Sequence, residues 1–192
     1  MQVRKVEVEE RILESAKAEF LEKGYSGASV ARIAKGAGVS VGNFYRYYAD
    51  KASLLDAVVG KVYRYIPKFI ADLASTITVM HMPLEEFSTF MSKEMLRVFW
   101  KHKTELAILL NKCKGTRYGK FRIVIERLVY AIVKSRNFGD RKLSEHEKLI
   151  ARLIATGYVN GLLEVLDRDW NGEDFTEPVR KLTLFFFDII RN

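Results

Sequence analysis

An all-helical fold in two parts is predicted by three observations. Apolar residues recur at helical spacing along most of the chain, from Ile12, Leu13, Ala16 and Phe20 to Val179, Leu182 and Phe186. Only three prolines interrupt 192 residues, which are rich in Leu, Ala, Ile, Lys and Glu. The stretch Ser29–Lys51, SVARIAKGAGVSVGNFYRYYADK, reads as two short helices joined by a glycine turn, a helix-turn-helix. The expected division is a helix-turn-helix domain over 1–52 and a larger helical domain over 53–192.

The first helix is expected over about 8–23, with Ile12, Leu13, Ala16, Phe20 and Leu21 on its apolar side and Gly24 ending it as a C′ glycine. Ser29 stands where an N-cap belongs, ahead of the narrow apolar stripe Ala31, Ile33, Ala34 and Ala37. Gly36 and Gly38 supply the backbone freedom of a tight turn, and Ser40 is placed to cap a second helix running from Val41 to Tyr48. Asp50 can cap the next helix, whose apolar face uses Leu54, Leu55, Val58, Val59 and Val62. Pro67 is expected to kink or end that helix. Pro83 opens another at its first position, to about 102, and further helices are expected over about 104–113, 117–136, 144–168 and 176–191.

The second helix of the pair suits DNA better than a core. Phe44 and Tyr48 lie four apart and can pack inward, which leaves Asn43, Tyr45, Arg46 and Tyr47 pointing elsewhere, able to donate to phosphates or base edges. Val41, Gly42 and Asn43 let backbone and short side chains approach a groove. Tyr25–Lys51 carries four basic residues (Arg32, Lys35, Arg46, Lys51) against one acid, Asp50. Lys51 opposes the dipole at a helix start, where an acid is normally preferred, and so points to an anion held there; the start at Ser29 offers a similar place.

The segment GVSVGNFYRYYADKASLL, with SVARIAKGA and an amphipathic helix before it, resembles the TetR family of bacterial and archaeal transcriptional repressors over roughly residues 8–58. Ala49 and Ala52 depart from its common pattern, at linker and helix-start positions. The resemblance implies a homodimeric, ligand-responsive repressor that reads a palindromic operator. On that footing Val41 and Asn43 contact bases, and Tyr45 and Tyr47 contact phosphates. Ser29 and Lys51 hold phosphates at helix starts, and Ser40 caps the recognition helix beside the DNA backbone. It also implies a cavity among the aromatics of the larger domain for a largely apolar effector, whose contact residues stay unassigned.

The last two helices look like an oligomer surface. Leu149, Ile150, Leu153, Ile154, Leu162, Val165 and Leu166 sustain an apolar seam, and Gly157 with Gly161 lets another helix come close. Val179, Leu182, Leu184, Phe185, Phe186, Phe187, Ile189 and Ile190 leave the last helix almost no polar side. The bland alternative is a large intramolecular core; the resemblance implies a dimer interface of four helices. Two recognition helices related by a twofold axis would read a palindrome.

Other chemistries fit poorly. Gly38–Gly42 matches G-x-S-x-G, but the nucleophile elbow needs a strand before it, and a helix is expected there. His81, His102 and His146 are scattered, with no cysteine or paired carboxylate at ligand spacing, so no metal or cofactor is expected. The single Cys113 suits a reducing cytoplasm, and the charged N-terminus has no apolar signal region. The most apolar windows look too short or too polar to span a bilayer. Lys112–Arg122 carries five basic residues and no acid, read as a solvated face or, more sharply, as a site for the anionic head of an effector. The formal net charge of +8 agrees with a polyanionic partner. Two rivals remain, a helical protein binding DNA without sequence preference and a small cytoplasmic enzyme using the aromatic cavity.

Overall fold

The computed structural model describes residues 2–80, 82–168 and 174–188; His81, Ile189 and Ile190 lie outside them. Among the described residues every regular element is helical. The chain forms two compact units, one of residues up to Tyr65 with Thr104–Arg122, the other of Ile66–Lys103 with the rest.

The first unit begins with α1 (Gln2–Gly27). Ile12, Ala16 and Phe20, four residues apart, are fully buried, whereas Leu21, expected beside them, is exposed. Gly24 takes φ +66°, which breaks the regular helix at the expected glycine and frees the Tyr25 N–H to donate to the Lys112 carbonyl at 2.9 Å. α2 (Val30–Gly36) and α3 (Val41–Phe44) follow. α4 (Lys51–Met80) starts on a reciprocal cap: the Ser53 N–H donates to the Asp50 carboxylate at 2.6 Å and the Asp50 N–H donates to Ser53 Oγ at 3.1 Å. Leu54, Leu55, Val58, Val59 and Val62 are all buried.

Of the two outcomes expected at Pro67, a kink or an end, the end does not occur: α4 runs through it. A proline removes one hydrogen bond from the helix, but Ile66, Phe69, Ile70 and Leu73 around it are buried, and that packing carries the helix through. The two compact units part within α4, between Tyr65 and Ile66.

The first unit is completed by α6 (Lys103–Asn111) and the segment after it. Leu106, Ile108 and Leu109 are buried, and Lys17 pairs with Glu105 at 3.2 Å. Asp56 on α4 meets both the Arg117 guanidinium and the Tyr118 hydroxyl. Tyr63 packs between Tyr118 and Phe121, ring centroids 4.8 and 5.4 Å away. The basic run Lys112–Arg122 thus sits with the helix-turn-helix, and the charge of Arg117 is answered by Asp56 rather than offered to an effector.

The second unit holds α5 (Leu84–Phe99), most of α7 (Phe121–Phe138), α8 (Glu145–Leu166) and α9 (Thr176–Asp188). Phe187 of α9 meets Phe87 and Tyr158 edge-on at 5.1 and 5.3 Å, and the fully buried Tyr158 hydroxyl is satisfied by Thr183 at 2.9 Å. Burial pushes that phenol up to about 12. A Cβ on Gly157 or Gly161 would stand 2.6 Å from Phe186 or Leu182, so the helix these glycines admit is α9 of the same chain. Leu149, Ile150, Leu153 and Phe185 stay exposed. By length and composition α8 is apolar enough to cross a membrane, contrary to the reading of its window; in this fold one face of it is buried against α9.

Candidate nucleic-acid interface

Two short helices of the first unit present the candidate surface, and their hydrogen bonds explain why the sequence folds there. Ile33, Ala34 and Ala37 bury the inner side of α2. Gly36 is required by proximity, since a Cβ would fall 2.4 Å from Ser15 Oγ, whose hydroxyl donates to the Ile33 carbonyl at 2.9 Å. Gly38 turns the chain at φ +68°, and the Val39 N–H donates back to the Ala34 carbonyl at 2.9 Å.

Ser40 caps α3 as expected, accepting the Asn43 N–H at 3.1 Å. No strand precedes it, so the elbow geometry of a hydrolase is not formed. The helix is shorter than the sequence suggests: α3 ends at Phe44, not Tyr48, and the Arg46 and Tyr47 N–H groups donate three residues back, to Asn43 and Phe44. The sequence contains no glycine or proline there to announce that tightening.

Sidedness follows the expected split. Phe44 is fully buried and Tyr48 nearly so, their rings 6.0 Å apart, and the Tyr48 hydroxyl donates to Glu9 at 3.3 Å. Burial first, then the Glu9 charge, pushes that phenol up to about 12. Val41 and Tyr45 are 41% and 53% exposed, on the opposite side. Asn43 and Tyr47 are half-buried, beside an open groove of about 970 Å³ between α1 and α3 that also takes in Arg11 and Arg46.

The basic residues divide into two groups that sequence spacing does not separate. Arg32 donates through Nε to Glu19 at 2.8 Å and through Nη2 to the Gly27 carbonyl at 2.6 Å. Glu19 also accepts the Ser29 N–H at 3.0 Å, and the Arg32 guanidinium holds its carboxyl below the usual range. Lys51 Nζ donates to the Tyr25 and Ala28 carbonyls at 2.7 and 2.8 Å and lies 4.6 Å from the centre of the Tyr25 ring. An ammonium has three donors, so one remains for a phosphate.

Ser29 holds the extended N-cap conformation, but its side chain makes no capping bond, and the hydroxyl is left for another acceptor. Arg11, Lys35 and Arg46 are exposed and form no ion pair among the described residues. Arg11 was missed by reading the motif alone. It lies a helix away in sequence, yet its Nη1 is 3.5 Å from where a Cβ of Gly38 would stand.

Comparison with known proteins agrees with this geometry. Residues 12–58 match the family described as "Bacterial regulatory proteins, tetR family". "Probable HTH-type transcriptional regulator YttP" of Bacillus subtilis (strain 168) is 38% identical over 74 residues, which cover 38% of this chain and 36% of that protein. The matched stretch is therefore about a third of that relative's length. Among solved structures, a transcriptional regulator (TerR/AcrR family) from Aquifex aeolicus VF5 superposes with a TM-score of 0.54 at 23% identity, covering 91% of this chain and 96% of its own. FadR from Bacillus subtilis, in complex with stearoyl-CoA, gives 0.54 at 14% identity, with 91% and 96% covered. At these identities the structural likeness establishes the fold.

Proposed function

We propose that this chain, whose residues 12–58 match the tetR family of bacterial regulatory proteins, is a member of that family and a ligand-responsive transcriptional repressor acting as a homodimer on a palindromic operator in the cytoplasm. One observation carries this reading: a serine-capped short helix and the turn after it bury Phe44 and Tyr48 and expose Val41 and Tyr45, with Arg46 beside them and Lys35 on α2 in no ion pair among the described residues. In this reading Val41 and Asn43 touch base edges, and Tyr45 and Tyr47 donate to phosphates. Ser29 offers its free hydroxyl and Lys51 its third N–H at two helix starts. Ser40 acts by fixing α3. Lys35 and Arg46 supply most of the motif's sequence-independent attraction.

Dimerisation would use the apolar residues Leu149, Ile150 and Leu153 of α8 and Phe185 of α9, which the chain's own packing leaves exposed. An effector is expected in the second unit. A fold likeness to FadR, seen with stearoyl-CoA, makes a long apolar molecule a reasonable class to test. Its binding would favour a dimer whose recognition helices stand at the wrong separation, lowering operator affinity by population shift.

The test is selection from a random duplex library with wild type and with Asn43→Ala plus Tyr45→Ala. A palindrome recovered by wild type alone supports the reading. Tight binding without enrichment points to a protein that coats DNA, and no binding at moderate salt removes DNA as the partner.

A further inference from the structure

Between residues 106 and 125 the chain has no acid, and Lys112, Lys114, Arg117, Lys120 and Arg122 give the middle of that stretch a single sign. Like charges gathered in one folded loop repel one another, and part of that cost is offset internally. Cys113 and Tyr118 are buried as anchors, the Thr116 hydroxyl donates to the Cys113 carbonyl at 2.8 Å and accepts the Tyr118 N–H at 3.1 Å, and Arg117 is paired with Asp56. Lys114 and Lys120 take no part in this: both are exposed and form no ion pair among the described residues.

The loop belongs to the first unit and packs at the entrance to α2. The Lys112 carbonyl accepts the Tyr25 N–H at 2.9 Å, while Lys51 Nζ donates to the Tyr25 carbonyl at 2.7 Å. A single residue thus lies between the basic loop and the lysine assigned above to a phosphate. Gly115, Thr116 and Arg117 also form one wall of a groove of about 460 Å³, opposite Asp50, Ser53 and Asp56 around the start of α4. Both acids are engaged elsewhere, Asp50 by the Ser53 N–H and Asp56 by Arg117 and Tyr118, so neither answers Lys114 beside the groove. We propose that the loop 112–120 is a second phosphate-binding surface outside the helix-turn-helix, in which Lys114 and Lys120 contact the DNA backbone next to the phosphate held by Lys51. The proposal rests on the DNA-binding reading above and extends it to a segment some sixty residues beyond the motif. Exposed ammonium groups gain little from one carboxylate in water, but a duplex presents closely spaced fixed charges and releases counterions when they are met.

The test compares three full-length proteins: wild type, Lys114→Gln plus Lys120→Gln, and Lys93→Gln plus Lys142→Gln. The last pair removes the same charge from exposed lysines of the second unit and so measures net charge alone. Each is titrated at about 50 to 200 mM salt with the duplex most enriched by wild type and with a scrambled duplex. The slope of log K against log salt should become shallower by about 1.8 for each protomer bound in the loop variant, at about 0.9 per phosphate, and equally on both duplexes. The second-unit variant should stay within about 0.5 of wild type, and all three unfolding midpoints should agree within about 2 °C. A loop variant whose slope stays within about 0.5 of wild type overturns the proposal, as does a second-unit variant that changes just as much. A loss confined to the enriched duplex also overturns it, because phosphates carry no sequence. Wild type that binds neither duplex removes the DNA-binding reading itself, whereas wild-type binding with an unaltered loop variant removes this proposal alone.

Discussion

Lys51 and Lys35 carry the same charge in the same motif, and the structure gives them opposite work. Lys51 ties two backbone carbonyls, Tyr25 and Ala28, at the entrance to α2, and its ring contact with Tyr25 restrains that chain segment further. Lys51→Gln removes charge-assisted bonds worth about 1.5–3 kcal/mol, so chemical denaturation should show a loss of that order. Lys35→Gln touches nothing inside the protein and should leave stability within about 0.5 kcal/mol. Its effect belongs to DNA: the slope of log K against log salt should become shallower by about one, equally on all sequences. Equal loss of stability in both variants would sink this division of labour. Residue type and spacing make both lysines visible in the sequence. The carbonyls that occupy one of them are not, because they come from backbone more than twenty residues upstream.

At the scale of elements, most helices could be read from periodicity, and the differences lie at their ends. α5 begins at Leu84 with Pro83 outside it, and α6 stops at Asn111, short of the expected 113. α3 is cut short by local hydrogen bonding and α4 is carried through Pro67 by burial, two effects that propensity does not contain. The start of α8 is the best-marked boundary. Ser144 and Glu147 form a capping box, and Arg141 adds a bidentate ion pair to the same carboxylate. That arrangement, the Arg141 contact first, draws the Glu147 carboxyl from its ordinary 4.5 down to about 2. A carboxyl lowered on folding contributes stability above its unfolded value and loses it as the pH falls through the folded one. Unfolding midpoints of wild type should therefore decline between about pH 4.5 and 2 more steeply than those of Glu147→Gln, which should already be lower at neutral pH. Parallel curves for the two proteins would contradict the assignment.

For the whole molecule, the sequence showed an apolar last pair of helices without saying which face meets what. Gly157 and Gly161 are used within the chain, by Phe186 and Leu182, while Leu149, Ile150, Leu153 and Phe185 stay exposed and form the face assigned to a second copy in the proposed dimer. Leu153→Glu should give a monomer by sedimentation at micromolar protein while keeping the helical content of wild type, and should weaken operator binding far more than a single lost contact would. A dimer that survives Leu153→Glu and Phe185→Glu together would move the interface elsewhere. The compact units, too, are organised by packing rather than by sequence order. Tyr63 and Asp56 of the first unit find Phe121, Arg117 and Tyr118 only after a long excursion of the chain. During synthesis the helix-turn-helix therefore leaves the ribosome well before the segment that completes its unit, and it stays unfinished until residue 122 has emerged. A nascent chain of this kind completes its DNA-binding end only after Ile66–Lys103 of the second unit has been made.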